Sequence, residues 1–130
     1  MQVNGIDHVV LRVGDLDVAT RFYSQVLGCP LERRQEAIGM VQLRAGGALI
    51  DLVAVDGPLG RRGGAAPGAE GRNLDHLCLR IAGFEPERIR SELAAHGIAA
   101  DAAVLRYGAA GEGPSIYLRD PDGNGVELRG

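Results

Sequence analysis

The sequence predicts an α+β fold built from two copies of one unit, each with a strand, a helix and then about three strands. The first observation is a repeat, in which residues 7–13 (DHVVLRV) return as residues 75–81 (DHLCLRI) with four identities in seven positions. The second is a segment of equal length after each copy, bracketed by glycines at 14 and 28 and at 83 and 97. Together the two observations predict a pair of βαβββ modules.

Each bracketed segment is predicted to be a helix. In the first, apolar residues recur at steps of three and four from Leu16 to Leu27, and Gly28 suits the left-handed conformation that often ends a helix. In the second, Pro86 stands where a first-turn proline is tolerated, and Gly97 closes the segment. The helices therefore occupy the same place in both modules.

Strands are predicted near 5–13, 31–37, 40–45, 48–55, 75–82, 102–107, 114–119 and 125–129.

Residues 56–74 hold six glycines and two prolines, which predicts a mobile linker or lid. The glycine-rich segment 106–113 is predicted to be a loop beside a substrate opening. Because 130 residues are too few for two independent cores, the chain is predicted to be one domain, 1–130, with modules at 1–55 and 75–130.

Composition excludes several classes of function. With 17 acidic and 14 basic residues the net charge is -3, which argues against a nucleic-acid surface and leaves a small molecule as the expected partner. The longest uncharged run, residues 22–31, is too short to span a membrane, and no signal-peptide pattern opens the chain. Cys29 and Cys78 form no CxxC pair, which favours a reduced cytoplasmic setting with both thiols packed as small hydrophobes.

Four residues at repeat-equivalent places form a candidate metal shell. His8 and His76 open the first strand of each module, and Asp51 and Glu127 lie in apolar final strands, where an ionised carboxylate is costly unless paired or bound to a cation. If pseudo-twofold symmetry brings them together, two imidazoles and two carboxylates suit divalent Fe, Ni, Co, Mn or Zn. The alternatives are histidines satisfied within a core and, for Asp51, an edge carboxylate that faces water or an arginine.

Three further residues are candidates for contact with a substrate. Arg12 and Arg80 follow the two histidines by four positions and share their strand faces, so they would bind an anionic substrate or else pair with acidic side chains. Tyr117 lies on the strand before Glu127. It would donate a proton or hydrogen bond to a bound oxygen, or else fill the sheet as an aromatic side chain.

These segments together resemble the vicinal oxygen chelate superfamily. The resemblance rests on the openings 7–13 and 75–80, on residues 21–28 (RFYSQVLG) and on the ending 118–128 (LRDPDGNGVEL). That superfamily includes glyoxalase I, extradiol dioxygenases, fosfomycin-modifying enzymes, methylmalonyl-CoA epimerase and bleomycin-resistance proteins. The resemblance implies a curved mixed sheet around a metal-binding cleft, with the helices on the outside, and a homodimer.

The resemblance also implies a ligand set and a chemistry. It places one divalent metal per site on His8, Asp51, His76 and Glu127, although glyoxalase I usually has a longer Glu where this chain has Asp51. The metal would bind two neighbouring substrate oxygens while Glu127 or Asp51 moves a proton. The first function implied is a glyoxalase-type isomerase or lyase on a small oxygenated metabolite. The alternatives are an extradiol-type Fe(II) dioxygenase and a non-catalytic binding protein like the bleomycin-resistance members.

Overall fold

The computed structural model describes residue 2, residues 5–71 and residues 74–130. The chain divides into two compact units, Met1–Arg72 and Asn73–Gly130, and each contains one four-stranded mixed sheet. This architecture confirms the predicted α+β fold with two βαβββ modules. Residues 72 and 73, which belong to the predicted linker, lie outside the described residues. No described helix is long and apolar enough to cross a membrane.

The described residues of the first unit form one α-helix and four strands, besides short π-helical and 3-10 turns. They are β1 (His8–Val13), α1 (Leu16–Arg21), β2 (Leu31–Gln35), β3 (Met40–Ala45) and β4 (Ala48–Ala54). The strand order is β1-β4-β3-β2, with β1 parallel to β4 and the other pairs antiparallel. The helix packs against β3 and β4, and the apolar residues between these elements form the core of the unit.

The first helix departs from its prediction in one respect. Asp15 caps it by accepting a hydrogen bond from the backbone N–H of Val18 at 2.8 Å, but the α-helical part ends at Arg21. A wider π-helical turn follows over residues 22–26 and leads to Gly28, whose φ of 70° confirms the left-handed end. Phe22 and its neighbour are both buried in this turn, so the wider geometry accompanies burial of two consecutive aromatic side chains.

The second unit repeats the same order. Its elements are β5 (His76–Arg80), α2 (Pro86–Ala95), β6 (Val104–Gly108), β7 (Gly111–Arg119) and β8 (Gly125–Arg129). The strand order is β5-β8-β7-β6, with β5 parallel to β8. Pro86 is the first residue of α2, as its position predicted, and Ile89 and Leu93 are the buried residues of that helix.

The glycine-rich segment 106–113 was expected to be a loop, and the structure shows instead that it is a hairpin between β6 and β7. Arg106 pairs with Gly113, and Gly108 pairs with Gly111. The buried Arg129 lies against this hairpin and donates a hydrogen bond to the carbonyl oxygen of Arg106 at 2.8 Å. A Cβ atom at Gly108 would lie 2.9 Å from the guanidinium carbon of Arg129. Glycine is therefore present here because an arginine packs closely against the strand.

Part of the expected linker packs on the first unit. Residues 60–63 form one turn of 3-10 helix, and Gly60 is buried. Arg12 donates hydrogen bonds to the carbonyl oxygens of Gly63, Gly64 and Ala65 at 3.0, 2.7 and 3.0 Å. Tertiary contact with an arginine therefore holds residues 63–65, a feature that composition alone did not predict.

The two cysteines differ in their surroundings. Cys29 is buried, as expected of a small hydrophobic side chain, and burial raises its pKa. Cys78 is exposed, so the prediction that it packs as a small hydrophobic side chain is wrong. It lies on the face of β5 that also carries His76 and Arg80, and all three are exposed.

Candidate functional site

In the first unit, strand register brings one histidine and one carboxylate to the same face of the sheet. Val10 pairs with Asp51 between β1 and β4, and His8 lies two residues before Val10, so His8 and Asp51 share that face. The hydrogen bond from His8 to Asp7 is the largest effect on the pKa of His8 and raises it. Burial opposes this shift, and the charge of Asp51 makes a smaller contribution that also raises the pKa. Strand register therefore places an imidazole and a carboxylate on one face of the first sheet.

Asp51 is satisfied by an amide. Its side chain is 2% exposed, and Gln42 Nε2 lies 3.1 Å from each of its carboxylate oxygens. Gln42 in turn accepts a hydrogen bond from Gln35 at 3.3 Å. This relay across β4, β3 and β2 solvates the carboxylate without a cation, and sequence reasoning missed it.

In the second unit, three of the predicted site residues lie together on one face of the sheet. Tyr117 and Cys78 flank Glu127 on the neighbouring strands, and His76 lies two residues before Cys78. His76 Nε2 is 3.0 Å from Glu127 Oε2, and the His76 and Tyr117 rings meet edge to face at 5.8 Å between centroids. The register therefore assembles an imidazole, a phenol and a carboxylate.

The surroundings of Glu127 keep it ionised. Burial raises its pKa, but hydrogen bonds from Ser115 and Tyr117, the charge of His76 and a hydrogen bond from Cys78 outweigh burial and hold the pKa below its ordinary value. Ser115 Oγ donates to Oε1 at 2.5 Å. Glu127 is therefore a carboxylate at neutral pH, the form that binds a cation.

Two aspartates beside the histidines escaped the sequence reasoning. Asp7 Oδ1 lies 2.7 Å from His8 Nδ1, and Asp75 Oδ2 lies 2.7 Å from His76 Nδ1. The signal was present in the repeat, since both copies open with the dipeptide Asp-His.

The predicted substrate-binding arginines occupy different surroundings. Arg12 donates its hydrogen bonds to the backbone of residues 63–65, as described above. Arg80 is exposed on the His76 face of β5 and pairs in register with Arg129 of β8. A role in substrate binding stays a prediction for both Arg12 and Arg80.

A cleft of about 480 Å³ opens in the second unit beside this face. His76 and Tyr117 line it together with Asp75, Asp101 and Arg119, and residues 97–100 supply a mostly aliphatic wall. A cleft of this volume, with charged and polar groups facing an aliphatic wall, suits a small polar metabolite.

The donor chemistry of the second unit fits part of a metal shell. Within residues 2, 5–71 and 74–130, no group of three or more His, Cys, Asp or Glu side chains is arranged to hold a metal ion. His76 Nε2 and Glu127 Oε2 nevertheless have the spacing of two adjacent ligands, since donors about 2.1 Å from one ion and at right angles to each other lie about 3.0 Å apart. Asp51 would have to exchange its hydrogen bonds from Gln42 for a metal bond.

Comparison with known proteins places this chain in a family. The family model described as "Glyoxalase/Bleomycin resistance protein/Dioxygenase superfamily" matches residues 5–128. The chain belongs to this superfamily. The membership confirms the resemblance predicted from the two Asp-His openings and from the segment 118–128.

Several proteins are similar to this superfamily member over nearly its whole length. Virulence protein STM3117 of Salmonella typhimurium is 34% identical over 98% of this chain and 85% of its own, and its crystal structure has a TM-score of 0.77, covering 99% of this chain and 98% of that chain. Lactoylglutathione lyase from Agrobacterium tumefaciens is 21% identical, with a TM-score of 0.71 and coverage of 99% and 95%. TnmS3, an antibiotic binding protein from Streptomyces sp. CB03234, is 23% identical, with a TM-score of 0.69 and coverage of 99% and 97%. The last two likenesses show the fold alone.

Proposed function

We propose that this superfamily member is a divalent-metal-dependent lyase or isomerase of the glyoxalase type that acts on a small oxygenated metabolite. The observation that carries the proposal is the 3.0 Å pair of His76 Nε2 and Glu127 Oε2, which lies beside a cleft of about 480 Å³. An ionised carboxylate next to an imidazole is a donor pair that divalent metals accept.

Within this proposal His76 and Glu127 hold the metal in the second unit, and His8 supplies a further imidazole by the symmetry of the repeat. Asp51 becomes the fourth ligand only if it gives up Gln42. The metal is Fe, Ni, Co, Mn or Zn, and when bound it supplies Lewis-acid stabilisation of negative charge on substrate oxygens.

Glu127 is the proposed base. Its donors now hold its pKa low, while burial alone would raise it, so loss of the His76 contact would make the carboxylate more basic. Ser115 keeps Oε1 fixed by its hydrogen bond, so Oε2, the oxygen that would hold the metal, is also the oxygen that would accept a proton once Glu127 leaves the metal. Tyr117 stands at the cleft beside Glu127 and would donate a hydrogen bond to a substrate oxygen.

Two alternatives have specific support. The set of His8, His76 and Glu127 contains two histidines and one carboxylate, the ligand set of non-haem Fe(II) oxygenases, which keeps the extradiol-type dioxygenase open. The Gln42 relay satisfies Asp51 without a cation, which favours a non-catalytic small-molecule-binding protein. Formation of a homodimer belongs to the same proposal and is checked by the mass of the protein in solution.

Metal uptake separates the enzyme from the binding protein. The purified chain is incubated with Ni²⁺, Co²⁺, Mn²⁺, Zn²⁺ or anaerobic Fe²⁺, and bound metal is measured by mass spectrometry. We expect Glu127→Gln to weaken binding by about 100-fold, because it removes a charged ligand, and the exposed-site control Glu32→Gln to leave binding unchanged. Uptake below about a tenth of an equivalent for the unmodified chain would overturn the enzyme proposal.

The metal-loaded chain is then assayed with hemithioacetals and, under oxygen, with catechols. Turnover of a hemithioacetal without oxygen consumption supports the lyase or isomerase. Oxygen consumption with a catechol and Fe²⁺ would instead support the dioxygenase.

A further inference from the structure

Each module carries the same pair of neighbouring side chains at the start of its first strand. The Asp7 and Asp75 carboxylates lie 2.7 Å from Nδ1 of the histidine that follows each of them. Both carboxylates are almost fully exposed, at 93% and 98%, so neither is forced against its histidine by burial. The same geometry in both modules indicates a shared purpose rather than a chance surface contact.

The local backbone explains how adjacent residues can make this contact. Within a strand, neighbouring side chains point to opposite faces, but β1 begins at His8 and β5 at His76, so the aspartates precede the alternation. The Asp7 carbonyl oxygen accepts a hydrogen bond from the N–H of Leu49 at 2.9 Å, which holds its backbone on β4.

In the second module, close packing has the same effect. A Cβ atom at Gly125 would lie 2.4 Å from the Asp75 carbonyl oxygen, so the backbone before His76 rests directly on β8. In both modules, therefore, the aspartate is anchored on the strand that carries the candidate carboxylate ligand.

The chemistry of the contact assigns the proton. An ionised carboxylate can only accept a hydrogen bond, so the Nδ1 atom that faces it must be the donor. In a neutral imidazole the lone pair then lies on Nε2. In His76 that nitrogen faces Glu127, which is also ionised and can only accept a hydrogen bond, so Asp75 and Glu127 compete for the ring proton, and a metal on Nε2 would leave the proton to the Asp75 contact.

We propose that Asp7 and Asp75 are positioning residues that hold His8 and His76 in the Nδ1–H form, with Nε2 turned towards the metal. This inference rests on the proposed metal-dependent function. An outer carboxylate of this kind orients a histidine ligand and raises its basicity, whereas an exposed ion pair contributes little to stability. The aspartates therefore serve the histidines, and their removal changes metal binding more than folding.

The test compares Asp7→Ala and Asp75→Ala with a matched control. Asp17→Ala removes the same charge from an exposed aspartate of α1, outside the cleft, whose partner is Arg34 at 3.0 Å. Zn²⁺ affinity is measured by competition with a chelating dye. We expect each of the two variants to bind Zn²⁺ about 10- to 100-fold more weakly and Asp17→Ala to change by less than about threefold. Asp75→Asn should fall between them, because its amide oxygen still accepts a hydrogen bond.

A second readout needs no metal. Long-range ¹H–¹⁵N spectra of histidine-labelled, metal-free protein, recorded at a pH where the imidazoles are neutral, report which nitrogen carries the proton. We expect more of the Nδ1–H form at His8 and His76 in the unmodified chain than in Asp7→Ala and Asp75→Ala, with Asp17→Ala unchanged. If the unmodified chain takes up no metal, the proposed function fails, and these spectra still decide whether the aspartates position the rings.

Unchanged proton positions, together with Zn²⁺ affinities equal to that of Asp17→Ala, would overturn the proposal. Thermal unfolding of every variant checks that the fold is retained, as expected for carboxylates this exposed. If an alanine variant does not fold, the asparagine variant takes its place in both measurements.

Discussion

The two units share one topology but treat their buried carboxylates differently. Asp51 and Glu127 are 2% and 5% exposed and occupy equivalent final strands. Asp51 is bound to Gln42 within its own sheet, whereas Glu127, which is one methylene longer, reaches His76. The two units therefore share a fold but differ in the chemistry of their sites. The second unit presents an imidazole and a carboxylate that could both bind a metal, whereas the carboxylate of the first is already hydrogen-bonded to an amide.

The units also differ in the space beside each histidine. His8 pairs with Leu49 across the parallel strands, and His76 pairs with Gly125. A Cβ atom at Gly125 would lie only 2.9 Å from the Cβ atom of His76. His76 therefore lies closer to β8 than it could if position 125 carried a side chain.

The largest effect on stability should come from Gln42→Leu. Within the described part of the chain, Gln42 is the one hydrogen-bond donor to Asp51, so its loss leaves a buried carboxylate unsatisfied. We expect a loss of about 3 kcal/mol in the free energy of unfolding, measured by urea denaturation at neutral pH. Gln35→Leu, which removes only the far end of the relay, should cost less than half as much. Equal losses for the two variants would show that Asp51 does not depend on Gln42.

The same variant sharpens the comparison of the two carboxylates. Gln42→Leu frees Asp51, and a bound divalent ion would then offset the lost hydrogen bonds. We therefore expect Zn²⁺ to stabilise Gln42→Leu by more than it stabilises the unmodified chain. An equal gain would remove Asp51 from the ligand set.

The next largest effect is expected for Gly125→Ala. The added methyl group meets the backbone before His76, where neither partner is the end of a flexible side chain, and overpacking of this kind costs about 2 kcal/mol. Gly47→Ala is the matched control, because a Cβ atom there has no neighbour within 4 Å. Urea midpoints measure both variants, and a Gly125→Ala protein as stable as Gly47→Ala would contradict the close packing.

Local signals in the sequence predicted most of the fold. Gly28 and Gly97 adopt φ values of 70° and 73°. A glycine that follows a helical pattern predicts this left-handed conformation from the sequence alone. Strand alternation likewise placed His8 on the face of Arg12, and His76 on the face of Cys78 and Arg80. The β6–β7 hairpin was missed because its glycines depend on Arg129, a tertiary contact.

The partners of the site residues could not be predicted in the same way. Gln42 faces Asp51, and Ser115 reaches Glu127, only because of the pairing register between strands, which the sequence does not state. Asp75 was overlooked for another reason, since neighbours in a strand normally point apart. The catalytic and ligand roles themselves stay predictions until metal binding is measured.

A smaller effect is expected for Ser115→Ala, because several other groups also stabilise the Glu127 carboxylate. Since the folded pKa of Glu127 lies below its unfolded value, its contribution is fully present above the unfolded pKa and is lost as pH falls through the folded pKa. Removing Ser115 raises the folded pKa and so reduces that contribution. We expect a loss of about 1.5 kcal/mol at pH 7 that shrinks below about pH 4. A loss that does not vary with pH would contradict the charge-assisted hydrogen bond.

The smallest effect on stability should come from Glu32→Gln. This variant compares the exposed Glu32 of the first unit with the buried Glu127 of the second. Arg44 lies 2.9 and 3.2 Å from the two carboxylate oxygens of Glu32. Its hydrogen bond, and to a smaller extent its charge, lower the pKa of Glu32. Its contribution has the same sign as that of Glu127, present above the unfolded pKa and lost as pH falls through the folded one. Water and salt screen an exposed pair, so the urea midpoint should shift less than in Ser115→Ala at every pH and not at all in high salt. A larger shift than in Ser115→Ala would mean that burial is not what distinguishes the two carboxylates.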